Sequence, residues 1–289
     1  MSLRDVTLAV LVAVIWGVAF VATKLALQSF SPPQLAALRF LIASVPAALL
    51  ARPSVPWRAL VPIGLTLFAG QFLFQFFGIA RGMPPGLASI AVQTQAFFTV
   101  LFAAAVLRET PSRRELTGMG VALAGLVLIA ITVGHDLSVV GFGLTMVSAV
   151  SWGIGNVLVK RVAGVHTLNL MVWASLVPPL PSLALSLLLD GPTDLPRALS
   201  RASWLGLGTV LYLGLVATVF AYAIWGDLLR RYPVGTVAPF ALLVPGVGAW
   251  SSSLAFGEQF GPVRLAGMAC VLLGLAVIVL PSGRARARG

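Results

Sequence analysis

The sequence predicts an all-α polytopic membrane protein with ten transmembrane helices arranged as two inverted five-helix repeats. Three observations carry that prediction. Apolar runs of 18 or more residues recur along a chain of 289 residues that is 59% hydrophobic and 9% charged, whereas soluble domains carry roughly 25% charged residues. The charges collect in the short connections between those runs. The two halves also repeat: Trp16, Gly17 and Lys24 recur as Trp152, Gly153 and Lys160 at an offset of 136. Pro84, Gly86, Glu109, Gly118 and Gly125 recur as Pro233, Gly235, Glu258, Gly267 and Gly274 at an offset of 149. The 13-residue difference falls near the Asp190–Pro196 loop. Five spans per half is an odd number, so the halves, 1–135 and 136–289, enter the membrane from opposite sides. An inverted repeat places a binding site near the midplane between its halves in many secondary transporters.

The spans are predicted at 6–27, 33–51, 58–80, 86–107, 115–133, 139–160, 168–189, 204–226, 234–256 and 263–280. Most reach about 27–35 Å at ~1.5 Å per residue, enough to cross a hydrocarbon core. In span 1, Trp16, Phe20 and Lys24 are spaced i, i+4, i+8 and form one stripe. Arg39 sits about two turns inside span 2, either to bind a carboxylate or to make a structural pair near the outer interface, the structural pair being the preferred reading. In span 3, Gln71 and Gln75 share a face; in span 4, Gln93 and Gln95 are about 200° apart in an α-helix and should not both meet one cavity. Each amide forgoes water at membrane depth and needs a partner, so these faces either line a path or bond a neighbouring helix. The turn between these spans, Arg81 to Gly86, returns at Arg230 to Gly235 without the glutamines. Phe220, Ile224, Leu242 and Val244 occupy the aligned positions, so the repeated scaffold carries a lopsided polar lining.

In span 5, Gly118 and Gly125 lie two turns apart, as Gly267 and Gly274 do in span 10, a pattern suited to close helix packing rather than to a ligand site. Span 6 carries Trp152, Asn156 and Lys160 on one stripe, the counterpart of the span 1 stripe. Both stripes read either as walls of a cavity or as interfacial anchors, and snorkelling is the favoured role for Lys24 and Lys160. Pro178, Pro179 and Pro181 should break span 7. Tyr222, with Phe220 and Trp225, makes span 8 aromatic, and Pro239 and Pro245 should interrupt span 9 and let it bend during access switching, whereas span 4 has no internal proline to match.

The basic residues set the orientation. With the N-terminus inside, thirteen Lys and Arg lie on the inner side, from Arg4 to the C-terminal Arg284, Arg286 and Arg288, against Arg81, Arg197, Arg201 and Arg264 outside. Both termini are therefore expected to be cytoplasmic. The net charge of +11 is explained by this bias rather than by nucleic acid, which is not expected as a partner. Met1 to Asp5 lead into a full-length span without a cleavage site, so no signal peptide is expected. Cys270 is the single cysteine, and His135 and His166 sit near loops, so neither a disulfide, a metal centre nor another cofactor is expected. Asp5, Glu109, Glu115, Asp136, Asp190, Asp194, Asp227 and Glu258 all fall at or beyond span ends, leaving no mid-membrane carboxylate to carry protons or sodium. Glu109 and Glu258, beside Arg108 and Arg264, are expected to organise loops. No Gly-x-Ser-x-Gly elbow or His-Glu-x-x-His helix points to an enzyme. A homodimer is compatible with the sequence but not derivable from it.

Ile15-Trp16-Gly17, Pro32-Pro33 with Leu38-Arg39-Phe40, Leu107-Arg108-Glu109 and Gly118 with Gly125-Leu126-Val127-Leu128 form a pattern, echoed by Ser151-Trp152-Gly153, Phe256-Gly257-Glu258 and Gly267 with Gly274. This pattern resembles the EamA family of the drug/metabolite transporter superfamily, and within it the YddG-type amino-acid exporters of bacteria. The resemblance covers the whole chain. It implies a 5+5 helical transporter in the cell inner membrane, with a central cavity and with helices 5 and 10 peripheral. Trp16, Gln71, Gln75, Gln93, Trp152, Asn156 and Tyr222 are the candidate substrate-binding residues. Aromatic faces beside amides suit a small neutral or zwitterionic metabolite, foremost an amino acid with an aromatic or hydrophobic side chain. A phosphorylated or nucleotide-sugar-type metabolite is the alternative cargo, although it would want several cations at membrane depth.

Overall fold

A computed structural model describes residues 1–132, 137–162 and 164–279. His135, Asp136, the boundary drawn between the two halves, and Arg284, Arg286 and Arg288 lie outside the described residues. Among the described residues, eight helices are long and apolar enough to cross a membrane: α1 (Leu3–Ala26), α3 (Trp57–Ala80), α4 (Pro85–Leu107), α6 (Val139–Lys160), α7 (Thr167–Leu189), α8 (Trp204–Arg231), α9 (Gly235–Phe256) and α10 (Pro262–Val279). Two further helices complete the series. α2 (Pro32–Ser44) has 13 residues and runs on as a 3₁₀ turn through Val45–Ala48. α5 (Arg113–Ala130) has 18 residues, but Arg113, Arg114 and Glu115 occupy its first turn. A short amphipathic helix, Asp194–Arg201, lies in the connection between α7 and α8.

Local chemistry explains where these helices begin and end. Ser31 and Ser112 each close a capping box, with Gln34 and Glu115 as the reciprocal partners. Ser2, Ser138 and Ser203 cap α1, α6 and α8 through their hydroxyls. α9 ends on Gly257 in the left-handed region, at φ 65°. α4 ends on Arg108 in the same region, at φ 56°, where a non-glycine residue is uncommon.

Five of the long helices are irregular in their middles. α7 loses its α-helical course at Ser175–Pro178, where the predicted prolines lie. α3 and α8 each contain a π-helical segment, at Gly64–Gly70 and Tyr212–Phe220. α4 and α9 each contain a 3₁₀ segment, at Val92–Thr94 and Ala238–Leu242. In both pairs the second interruption overlaps the first when 149 is added to its numbers. The α4 break therefore corrects the expectation from proline placement: the helix without an internal proline is broken where its proline-bearing counterpart is.

Helix packing is closest where glycine permits it. α5 and α10 lie against each other, and a Cβ on Gly125 would stand 2.5 Å from the Gly267 carbonyl oxygen, while one on Gly274 would stand 2.4 Å from that of Gly118. Only hydrogen in place of a side chain allows that approach. Similar contacts join α1 to α9 at Gly17 and Val247, and α6 to α3 at Gly155 and Leu67.

The two ends of the bundle are held differently. At the proximal end, where α1 begins, Asp5 accepts from Tyr232 at 2.7 Å and pairs with Arg231 at 2.9 Å, while Lys160 pairs with Glu109 at 2.6 Å. At the distal end, Ser31 donates to Asp190 at 2.5 Å and Gln34 to Asp194 at 2.8 Å, docking the long α7–α8 connection onto the start of α2. Glu258 accepts from the Gly86 backbone N–H at 3.0 Å, and Lys24 lies 4.4 Å from the Phe256 ring centre. The two matched glutamates thus engage different partners. Each reaches across to another helix, because a loop carboxylate close to a helix end finds a cation or an orphan N–H there. Large apolar side chains stand exposed around the bundle, among them Leu49 at 89%, Leu188 at 82% and Trp204 at 88%, as lipid contact requires and water would not favour.

Candidate substrate cavity

Residues of α1, α2, α3, α4, α6, α8 and α9 surround a cavity of about 290 Å³, near the lower bound of small-molecule sites. α1 contributes Trp16, Ala19, Phe20 and Thr23; α2, Arg39; α3, Gln71, Phe72 and Gln75; α4, Val92, Gln93 and Gln95; α6, Trp152; α8, Ala217, Tyr222 and Trp225; α9, Ala241 and Val244. Both halves of the chain thus supply walls, and α5 and α10 supply none of these residues.

Six of the seven candidate residues, Trp16, Gln71, Gln75, Gln93, Trp152 and Tyr222, meet at this one cavity. Asn156 does not line it: its amide donates to the Thr99 hydroxyl at 3.0 Å and joins α6 to α4. The distinction follows from the helical turn, since Asn156 lies one turn beyond Trp152 along α6, where the inward face meets α4 rather than open space. Lys24 and Lys160 are absent from the wall as well, held instead at the two ends of the bundle.

Gln93 and Gln95 both reach the cavity, contrary to the α-helical expectation, and the Gln95 amide donates to the Gln93 carbonyl at 3.3 Å. The 3₁₀ turn at Val92–Thr94 is the reason. At three residues per turn, positions two apart are separated by about 120° instead of about 160°, and two long amides then span the remainder. On α3, the Gln71 amide donates to Gln75 Oε1 at 2.6 Å, which leaves the buried Gln71 Oε1 without a partner.

The apolar walls are aromatic and mutually braced. Trp16 lies 5.4 Å from Tyr222 and 5.2 Å from Trp225, and Phe72 lies 6.3 Å from Trp152 in an edge-on arrangement. The Trp16 indole donates to the Ala217 carbonyl at 3.0 Å, within the π segment of α8. Across the repeat, Ser151, the neighbour of Trp152, donates to the Thr66 carbonyl at 2.7 Å within the π segment of α3. Widened turns redirect carbonyls from the helix ladder, and here a side chain from the first helix of the opposite half takes each one.

Arg39, read from the sequence either as a carboxylate ligand or as half of a structural pair, faces the cavity. It is 4% exposed and lines the cavity, with Nε 3.3 Å and Nη2 3.2 Å from the Thr218 hydroxyl and its guanidinium carbon 3.9 Å from the centre of the Phe72 ring. Among the described residues no carboxylate pairs with it, and its structural partner is the Thr218 hydroxyl. The Thr218 hydroxyl gives its own proton to the Leu213 carbonyl five residues back, at 2.8 Å, so its lone pairs are free to face Arg39. The π segment that holds Thr218 in place carries no sequence signal that would have found it.

Two stretches of the chain, residues 3–131 and 139–280, match the model of the EamA-like transporter family. The chain is similar to a probable amino-acid metabolite efflux pump of Salmonella typhimurium, 42% identical over 287 residues and covering 96% of each protein. A protein of the same description from Escherichia coli is 39% identical over 286 residues, again covering 96% of each. A probable terminal-alkyne amino-acid exporter of Streptantibioticus cattleyicolor is 28% identical, covering 96% of this chain and 93% of the exporter. One solved crystal structure superposes with a TM-score of 0.67 at 21% identity, covering 99% of each chain, and shares the fold. With apolar helices of spanning length and one family matched over nearly the whole chain, this multi-pass membrane protein belongs to the EamA-like transporter family.

Proposed function

We propose that the chain exports small neutral or zwitterionic metabolites, amino acids with aromatic or hydrophobic side chains foremost, from the bacterial cytoplasm by alternating access. The observation that carries this reading is the central cavity, in which amides and one guanidinium are set among tryptophan, tyrosine and phenylalanine faces. The efflux pumps at 42% and 39% identity support the substrate class. Trp16, Gln71, Gln75, Gln93, Trp152 and Tyr222 are the wall residues assigned to the substrate. Asn156 is assigned to the seam between α6 and α4.

The architecture proposed for this task is ten spanning helices in two inverted five-helix repeats, with both termini cytoplasmic in the inner membrane. α2 and α5 are the two helices added to the eight of full length and hydropathy. The paired π segments, the paired 3₁₀ breaks and the two separate family matches support the repeat. Rocking of the two halves about the cavity would expose it to one side at a time. Arg39 is the single cation among the described wall residues, which argues against a phosphorylated or nucleotide-sugar substrate.

The proposed energetics are those of a facilitator driven by the substrate gradient. No Asp or Glu is among the described wall residues, so the cavity offers no carboxylate that could exchange a proton as it changes sides. Proteoliposomes loaded with labelled amino acids, with and without a pH gradient, test both statements. Efflux of at least one aromatic or aliphatic amino acid is expected in either condition. Efflux of none sinks the substrate class, and efflux that requires the gradient sinks the facilitator.

A further inference from the structure

We infer that Arg39 is the group to which a substrate's carboxylate docks, and that the cavity therefore selects molecules with a free carboxylate. This rests on the reading of the cavity as the substrate site and adds to it a residue and a chemical requirement. A buried guanidinium without a counter-ion is costly, since removing a charge from water requires an opposite charge or a full set of hydrogen bonds in return. Arg39 has neither. Thr218 takes two of its five N–H donors, and the rings of Phe72 and Phe40 cover it at 3.9 and 5.6 Å from the guanidinium carbon. Among the described residues the other donors have no hydrogen-bond acceptor.

The geometry matches one kind of guest. Thr218 engages the Nε and Nη2 side of the guanidinium and leaves Nη1 and the second Nη2 hydrogen for a planar two-oxygen acceptor. The guanidinium carbon lies over the Phe72 ring, 3.9 Å from its centre. Trp152 meets Phe72 edge-on at 6.3 Å, and Trp16 and Tyr222, 5.4 Å apart, line the same cavity. A substrate that places its carboxylate on Arg39 has aromatic surface within reach for its side chain. The Arg39 charge, which no carboxylate among the described residues balances, is balanced by such a molecule. A guest lacking the carboxylate leaves the cation buried and unpaired, the kind of loss that discriminates more strongly than a missing methylene.

The test measures binding and efflux of L-phenylalanine and L-phenylalaninamide with the purified full chain, in detergent by quenching of tryptophan fluorescence and in proteoliposomes. The wild type should bind phenylalanine on the order of tenfold to a hundredfold more tightly than the amide. In Arg39→Gln that preference should fall to near one, through weaker binding of the acid with little change for the amide, and Arg39→Lys should recover part of it. A merely structural arginine would weaken both ligands together and leave their ratio unchanged, which would overturn the inference. Equal binding of acid and amide by the wild type would overturn it as well, even if Arg39→Gln fails to fold. If the wild type moves some amino acid and Arg39→Gln moves it equally well, the inference falls while the proposed function stands. If no amino acid in a panel binds or moves, both fall.

Discussion

Gln71 and Gln75 show how much a single pair can carry at this depth. Their 2.6 Å bond satisfies one amide hydrogen and one carbonyl, and both residues also face the cavity. Gln75→Leu leaves the Gln71 amide without its acceptor, which should lower stability by about 1–3 kcal/mol. Replacing both with leucine removes the stranded group along with its partner. Thermal unfolding in micelles should therefore show the double variant regaining much of the melting temperature that Gln75→Leu loses, while export stays impaired in both. Normal export by the double variant would remove these amides from the site. The sequence located this pair because two amides one turn apart in an apolar run are visible without coordinates. Nothing comparable pointed from Arg39 to Thr218, 179 residues away.

Individual helices divide between those that frame the cavity and those that pack behind it. The α5–α10 seam belongs to the second group. A side chain at Gly125 would strike the Gly267 carbonyl, a backbone atom that cannot rotate away, so Gly125→Leu should cost about 1–3 kcal/mol. Export per folded molecule, corrected for the amount of monodisperse protein, should remain near the wild-type value. A specific loss of export would instead give this seam a part in the movement. In α9 the question is whether proline makes the break. α4 adopts a 3₁₀ turn at the aligned position without one, so helix packing around the cavity is sufficient to impose it. Pro239→Ala should retain at least about half of wild-type efflux, since restoring one N–H to a loosened turn is a small change. Abolished efflux would make the proline itself part of the switch.

For the molecule as a whole, the two stretches that match the family model differ in their chemistry. Glu109 and Glu258 are matched in sequence, yet one makes an ion pair whose side chains are 57% and 47% exposed while the other accepts from the first turn of α4 with an oxygen in a partly buried joint. An exposed pair contributes at most about 1 kcal/mol, whereas loss of a charged acceptor at a helix start costs about 1–2 kcal/mol. Glu258→Ala should therefore lower the unfolding temperature more than Glu109→Ala, with the gap narrowing little in high salt. Equal losses would place the two ends on the same footing. The lining is lopsided for the same reason. Gln71, Gln75, Gln93 and Gln95 all reach the cavity, whereas of their aligned counterparts Phe220, Ile224, Leu242 and Val244 only Val244 is among the described wall residues.

The sequence by itself determined the apolar helices, the family and the depth of the polar residues. Each of these follows from local composition, from spacing along one helix or from the match between halves. Tertiary structure alone decided which polar faces meet, because that depends on helices far apart in the chain. It turned Asn156 toward Thr99, brought Gln95 to the cavity through a 3₁₀ turn, and set a buried Arg39 against Thr218 in a π segment. The α4 break and the π segments of α3 and α8 arise from packing between helices, and no proline within them announces them.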